Sequence, residues 1–296
     1  MKIKFGPAGN SESFYNEGYK SSVDMPKWLE NKGLGAYEYS CTKGIRFKEE
    51  TGRKIGEQVK KHNIFLSIHA PYYINLGNPD PEMREKSKKY ILDSLVAAKW
   101  TGAKRVVFHP GSRGKLTREK AFQIAKNTFQ EVLDLVYKNN LEDITLCPET
   151  MGKRNQLGTL EEILELCQLE DNIIPTIDFG HIHARNGGSL NHKQDFDDTI
   201  DMIENGIGIE RTKAIHIHFS RIEFTDAGEK RHWTYQDNQF GPDFDPLAEV
   251  IIERDMHPII ICESKGTMAE DALTFKKIYR DVKAKKKNNK NSTNNL

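Results

Sequence analysis

The fold is decided between residues 64 and 109, where Ile64-Phe-Leu-Ser-Ile-His69 and Lys104-Arg-Val-Val-Phe-His109 flank a long amphipathic stretch at 83–102. Each flanking run is short and mostly apolar, which is how a strand covered on both faces reads. Strand, helix and strand in this order form a βαβ unit, whose two strands lie parallel.

The unit repeats in both directions. Strands are also predicted at 2–6, 36–41, 144–149, 173–178, 214–219 and 258–263, and helices at 21–32, 46–62, 117–139, 159–168, 194–205, 245–255 and 268–282. Thr159-Leu-Glu-Glu162 is a capping box at the start of one of these helices. Eight strands, each followed by a helix, match a single-domain (β/α)8 TIM barrel over residues 1–282. The rival is a doubly wound sheet. No Gly-rich phosphate loop follows the first strand, which weakens the dinucleotide-binding form of that rival.

Composition sets the outer bounds. With 37% hydrophobic and 29% charged residues in 296, the chain is neither disordered nor fibrous. No apolar run approaches the roughly 18 residues of a membrane span. The start, Met1-Lys-Ile-Lys-Phe-Gly6, is too short and polar for a signal peptide, so a cytoplasmic location is expected. Cys41, Cys147, Cys167 and Cys262 show no zinc-ribbon or C-x-x-C spacing and read as small core residues. Residues 283–296 carry five lysines and no acid, which leaves the rest of the chain at −4 out of a net +1. This Lys/Asn-rich tail is expected to be disordered. An acidic body is not a generic DNA-coating protein, so a nucleic-acid partner would require basic charge gathered on one face.

The chemistry collects at strand ends. The third strand ends in His69, the fourth in His109 and the fifth in Glu149. The sixth ends in Asp178, with His181 three residues on; the seventh carries His216 and the eighth ends in Glu263. In a (β/α)8 barrel these ends converge on one mouth, the catalytic face. A lone histidine or acid at a strand end is commonly structural, but six consecutive strands ending this way point to a shared site. Burying so many histidines and carboxylates without neutralisation is costly. Divalent cations remove that cost, and a mixed imidazole–carboxylate set suits zinc, or else manganese or iron. Seven ligand positions exceed one tetrahedral zinc, so two or more cations are expected, with Glu149 as the natural bridge. His218 lies on the same strand face as His216 by the two-residue period; it reads either as a supporting or substrate group or as a surface residue.

The loops beyond the strands hold Arg46, Arg113 and Lys153 among other cations, and also acids such as Asp80 and Glu223. A basic mouth would suit a polyanionic substrate held by its phosphates. Tyr72 and Tyr73 follow His69, and rim aromatics can stack on bases, although packing of the loop explains them equally well.

Taken in order, His69-Ala-Pro-Tyr-Tyr-Ile-Asn75, Phe108-His-Pro-Gly111, Glu149-Thr150, Asp178-Phe-Gly-His181, His216 and Glu263 resemble the endonuclease IV family of apurinic/apyrimidinic (AP) endonucleases, relatives of the xylose-isomerase-like barrels. The resemblance covers nearly the whole chain. It implies a trinuclear zinc site. His69, His109 and Glu149 would hold one ion, and Glu149, Asp178, His216 and Glu263 a second. His181 would hold a third with an Asp-X-His pair from the loop after the seventh strand. That loop reads Asp226-Ala-Gly-Glu-Lys-Arg-His232 and contains no such pair; Glu229 and His232 are the available stand-ins. Glu149 and Glu263 are the expected catalytic carboxylates. Tyr72 matches the family tyrosine at the lesion. Asn75, Arg46, Arg113 and Lys153 complete the expected substrate contacts, Arg46 standing in for an intercalating arginine.

The implied reaction is hydrolysis of the phosphodiester 5′ to an abasic site in double-stranded DNA, leaving a 3′-hydroxyl and a 5′-deoxyribose phosphate, by a monomer. A sugar isomerase or epimerase on the same barrel is the alternative. In that reading the barrel carries a dinuclear cation site, and Glu149 and Glu263 bridge a metal and shuttle a proton beside a carbonyl. A non-catalytic DNA-binding module would not require buried metal ligands.

Overall fold

A computed structural model describes residues 2–293. Its first half contains β1 (Lys4–Pro7), α1 (Glu12–Asn16), α2 (Met25–Asn31), β2 (Ala36–Ser40), α3 (Glu49–Lys61), β3 (Phe65–His69), α4 (Pro81–Thr101), β4 (Arg105–Phe108) and α5 (Arg118–Lys138). The chain continues through β5 (Thr145–Pro148), α6 (Leu160–Cys167), β6 (Thr176–Asp178), α7 (Phe179–Arg185), α8 (Lys193–Ile207), α9 (Ile209–Lys213) and β7 (His216–Phe219). Last come β8 (Arg221–Thr225), β9 (Gly228–Trp233), α10 (Phe244–Glu253), β10 (Ile259–Cys262) and α11 (Met268–Thr293).

Strands β1, β10, β7 and β6 form one parallel run, and β2, β3, β4 and β5 another. Parallel bridges Ala8–Glu38 and Glu149–Thr176 join the two runs at both seams. The amide of Gly9 donates to Glu38 O at 2.8 Å and that of Thr150 to Thr176 O at 3.0 Å. The ring is therefore a closed barrel of β1 to β7 and β10, the expected TIM architecture. At one seam Gly6 is required: a Cβ there would lie 1.8 Å from the carbonyl oxygen of Ala36.

The two-residue strand period sorts the side chains. One set, including Ile68, Val106, Leu146, Ile177, Ile217 and Ile260, packs outward against Ile55, Leu95, Phe129, Ile203, Leu247 and Phe275 of the helices. The alternate set points inward. At the strand starts it is a small apolar plug of Ala36, Phe65, Ile259 and Ile261. Further along, at Glu38, Ser67, His216 and His218, the buried interior becomes polar. The four cysteines are buried and free, as their spacing suggests. No helix among the described residues is long and apolar enough to cross a membrane.

The capping box is formed: Thr159 Oγ1 accepts from Glu162 N at 3.3 Å, and Glu162 Oε2 accepts from Thr159 N at 3.0 Å. Thr159→Ala removes the cap and is expected to cost about 1 kcal/mol, lowering Tm by about 2 °C. An unchanged melt by circular dichroism would show that Glu162 alone holds the helix start.

Two segments carry more structure than a plain connection. Helix α11 continues through residues 283–293, within the predicted tail. Lys286 fastens this extension, donating to Glu249 O at 3.3 Å and pairing with Glu253 at 2.5 Å. The last three residues of the predicted tail lie outside the described residues. The segment after β7 is also not a plain loop. Strands β8 and β9 pair antiparallel as a hairpin, with Arg221 opposite Trp233.

Candidate metal centre

His69 closes β3, while His109, Glu149 and Glu263 sit one residue beyond β4, β5 and β10. Asp178 ends β6 and caps α7, its Oδ1 accepting from His181 N at 2.8 Å. That bond sets His181 on the first turn of the helix, facing the same centre. The hairpin is pressed against the loop after β5: Glu229 N donates to Gly152 O at 3.1 Å and Arg154 N to Ala227 O at 3.0 Å. Gly228 makes this approach possible, because a Cβ there would fall 2.2 Å from Gly152 O. Glu229 Oε2 thereby comes within 3.4 Å of His181 Nε2.

Glu149 is the hub. Its Oε2 lies 3.2 Å from His69 Nε2 and 3.1 Å from His109 Nε2. Its Oε1 lies 3.2 Å from His218 Nδ1 and 3.4 Å from His181 Nδ1. Each carboxylate oxygen thus serves a different pair of imidazoles. Donor atoms gather into groups able to hold a cation at His69, His109 and Glu149, at Glu149, Asp178, His218 and Glu263, and at His181, His232 and Glu263. Glu229 lies beside the last group, its Oε1 3.9 Å from His232 Nε2.

The donor chemistry fits a cation. His69 Nδ1 lies 2.9 Å from Ala70 O, and a carbonyl only accepts, so Nδ1 carries the proton. Nε2 is then the nitrogen left toward Glu149, and either a second proton or a cation must lie between the ring and the carboxylate. His181 repeats the pattern, with Nδ1 2.9 Å from Thr150 O and Nε2 facing Glu229. Asp178 Oδ2 is buried without a hydrogen-bond partner among the described residues. Each of these positions calls for positive charge, which protonated rings or a bound cation would supply.

The titration behaviour has the same origin. Burial pushes the Glu149 carboxyl up, but His218 and His109 outweigh it and hold the group well below the usual range. Burial likewise opposes ionisation of Glu263, yet His218 brings it down to about 2. Asp178 is pushed up to about 6 by burial. Burial lowers His69, but its bond to Glu149 prevails and raises it to about 9. His216 goes the other way, down to about 4, because burial dominates.

On the seventh strand the structure separates the two histidines in depth. His218, not His216, stands beside Glu149, Asp178 and Glu263. His216 lies deeper, its Nε2 3.0 Å from Glu38 and its Nδ1 3.4 Å from Arg105 Nη1. The two-residue period put both rings on the inward face, and the stagger of the barrel decides their depth. Glu38 was overlooked: one acid inside the otherwise apolar and aromatic run AYEYSC, on the inward face, was its only signal.

Two clefts meet over the cluster. One, of about 390 Å³, is walled by His109, Lys153, Gln156, His181 and Glu229; the other, of about 240 Å³, by Glu38, Ser40, Ser264 and Lys265. His69, Tyr72, His232 and Glu263 border both. Tyr72 is 59% exposed and stacks on His109, with ring centres 5.2 Å apart at 18°. The other expected substrate contacts divide. Lys153 reaches the cleft. Asn75 instead ties two loops, its Oδ1 accepting from Ser112 N at 3.1 Å. Arg46 and Arg113 are exposed and wall neither cleft.

Residues 26–278 match the family model described as xylose isomerase-like TIM barrel. An uncharacterized protein of Methanocaldococcus jannaschii is 36% identical over 282 residues, 95% of this chain and 98% of that one. A probable endonuclease 4 of Acholeplasma laidlawii is 29% identical over 187 residues, 62% of this chain and 61% of its own. The chain thus spans about three-fifths of that relative's length. Among solved structures, endonuclease IV from Thermus thermophilus superimposes with a TM-score of 0.69 at 18% identity, covering 95% of this chain and 98% of the other. A D-tagatose 3-epimerase-like protein gives 0.72 at 20% identity, covering 96% and 99%. At these identities the two structures share the fold and argue nothing further.

Proposed function

Because the chain belongs to the xylose isomerase-like TIM barrel family, we propose that it is a metal-dependent AP endonuclease, hydrolysing the phosphodiester 5′ to an abasic site and leaving a 3′-hydroxyl and a 5′-deoxyribose phosphate. The observation that carries this reading is the division of Glu149, one oxygen to His69 and His109, the other to His218 and His181. One cation needs a single group of donors. A carboxylate shared between two groups is built for at least two.

Glu149 with His69 and His109 would hold one ion, and Glu149 with Asp178, His218 and Glu263 a second. His181 and His232, with Glu229 or Glu263, would hold a third. Zinc fits these ligands, with manganese or iron as substitutes. Bound ions of this class neutralise a phosphodiester and acidify water for in-line hydrolysis. The chain's own residues do the rest. Tyr72 offers an exposed aromatic face at the rim, flat on His109. Lys153 and Lys265 supply positive charge at the cleft walls for flanking phosphates. The donors lie at the bottom of a concave mouth, so the target nucleotide must leave the duplex to reach them. That costs least where no base pair has to be broken.

The likeness to the probable endonuclease 4 of Acholeplasma supports the nuclease reading. The second reading, a sugar isomerase or epimerase, draws support from the group of Glu149, Asp178, His218 and Glu263, which by itself suffices for one cation. A duplex with one stable abasic-site analogue, incubated with metal-stripped protein with and without zinc, separates the two. A zinc-dependent cut on the 5′ side of the analogue, read on a denaturing gel, is expected. An intact duplex with folded, zinc-loaded protein would reject the nuclease and direct the search to aldoses and ketoses.

A further inference from the structure

We infer that Glu38 is a positioning residue that orients His218 toward the metal centre, and that His216 and Arg105 hold Glu38 in place. The inference rests on the ligand role proposed above for His218.

Glu38 lies on β2, at the floor of the smaller cleft, and is completely buried. Its Oε1 is 3.0 Å from His218 Nε2, and its Oε2 is 3.0 Å from His216 Nε2 and 2.8 Å from Ser67 Oγ. The far nitrogen of His218, Nδ1, faces Glu149 at 3.2 Å and Glu263 at 3.4 Å. The ring therefore spans from Glu38 to the cluster. Neither Glu38 Oε1 nor His218 Nε2 makes a hydrogen bond among the described residues, so their 3.0 Å approach acts through charge: a carboxylate beside Nε2 favours the ring proton on that side and leaves the Nδ1 lone pair toward a cation. This is the carboxylate–histidine arrangement that fixes the tautomer of a metal ligand and raises its basicity.

The groups beneath settle the orientation of Glu38. Arg105 has only donors, so its Nη1, 3.4 Å from His216 Nδ1, makes that nitrogen the acceptor. His216 must then carry its proton on Nε2 and donate it to Glu38. Arg105 is itself fixed by donation to Ala214 O at 2.7 Å and lies over the ring of Phe65. A buried positive charge is thus linked through a neutral imidazole to a buried negative one, and His216 has one workable tautomer. Ser67 supplies a second donor to the same Glu38 oxygen that His216 serves, which leaves Oε1 for His218.

The test is zinc affinity, measured by competition with a coloured chelator in the absence of DNA. Glu38→Gln is expected to weaken zinc binding by about 10- to 100-fold. Stoichiometry at saturating zinc should not change. Cobalt(II) loaded in place of zinc should show a shifted visible spectrum in the variant, which a purely structural defect elsewhere would leave alone. Unchanged affinity and spectrum would overturn the inference. If metal-free Glu38→Gln does not fold, Ser67→Ala decides. It removes one donor and keeps the carboxylate, and about a threefold loss of affinity is expected at one hydrogen bond of roughly 0.5–1 kcal/mol; no loss would overturn the proposal. Wild-type protein that binds no zinc would instead count against the metal centre itself.

Discussion

Glu149→Gln is expected to abolish cleavage of an abasic-site duplex, a loss of about 10³-fold or more, or ~4 kcal/mol on the barrier. The reason lies in the number of groups that one carboxylate serves. Its two oxygens face four imidazoles at 3.1–3.4 Å. The amide keeps the shape but loses the charge and replaces one acceptor with a donor. Two of the three ion sites proposed above include Glu149, so zinc per chain should fall as well. Metal analysis of the dialysed variant and a single-turnover gel assay give the two readings. Full activity with unchanged zinc content would remove Glu149 from the centre and with it the case for a shared ligand. The metal-free variant should still give a folded circular dichroism spectrum, because the barrel closes through backbone bonds at residues 149 and 150 that the substitution does not touch.

The second large effect separates two neighbours on β7. His218→Ala should lose one equivalent of zinc and about 10²- to 10³-fold in activity, or roughly 3–4 kcal/mol. His216→Ala should keep its zinc count at saturation, since that ring contacts Glu38 and Arg105 and does not reach Glu149. Zinc counted in both variants decides between them. If His216→Ala were the one to lose the equivalent, the family-based assignment would stand and the depth ordering along β7 would be wrong.

The barrel is legible because its strands are covered on both faces and therefore read as unbroken apolar runs. Ile64–His69 and Lys104–His109 need no partner to be recognised. The hairpin at 221–233 is not legible in the same way. Its strands carry Arg221, Glu223, Glu229, Lys230 and Arg231, and only pairing with each other and seating on Gly152 makes them β. Helix α7 is hidden because Phe179–Arg185 spans barely two turns and its start depends on Asp178. The extension of α11 has no apolar stripe. It continues a helix already nucleated and is fastened by Lys286 to Glu253, a contact 33 residues away in sequence.

Ligands at the strand ends are legible because His69, His109, Glu149, Asp178 and Glu263 are chemically unusual residues for apolar strands to end in. Depth is not. His216 and His218 share a face, and the stagger between neighbouring strands determines which ring meets Glu149. Glu38 shows the same limit: a single acid in a strand reveals its purpose only when Ser67, His216 and His218 surround it.

Asp178 divides its two oxygens between different tasks. Oδ1 pins the first turn of α7 through His181 N at 2.8 Å, and Oδ2 faces the cluster without a hydrogen bond. Both ends of this connection belong to the proposed centre, since His181 rides on the turn that Asp178 holds. Fraying of that turn would withdraw one donor from each of two proposed ions, and cations resting on them would resist the fraying. The opening of a short helix and the residence time of an ion are then the same event seen from two sides. Ion release would follow the slow clock of local backbone opening, and not the fast one of side-chain rotation.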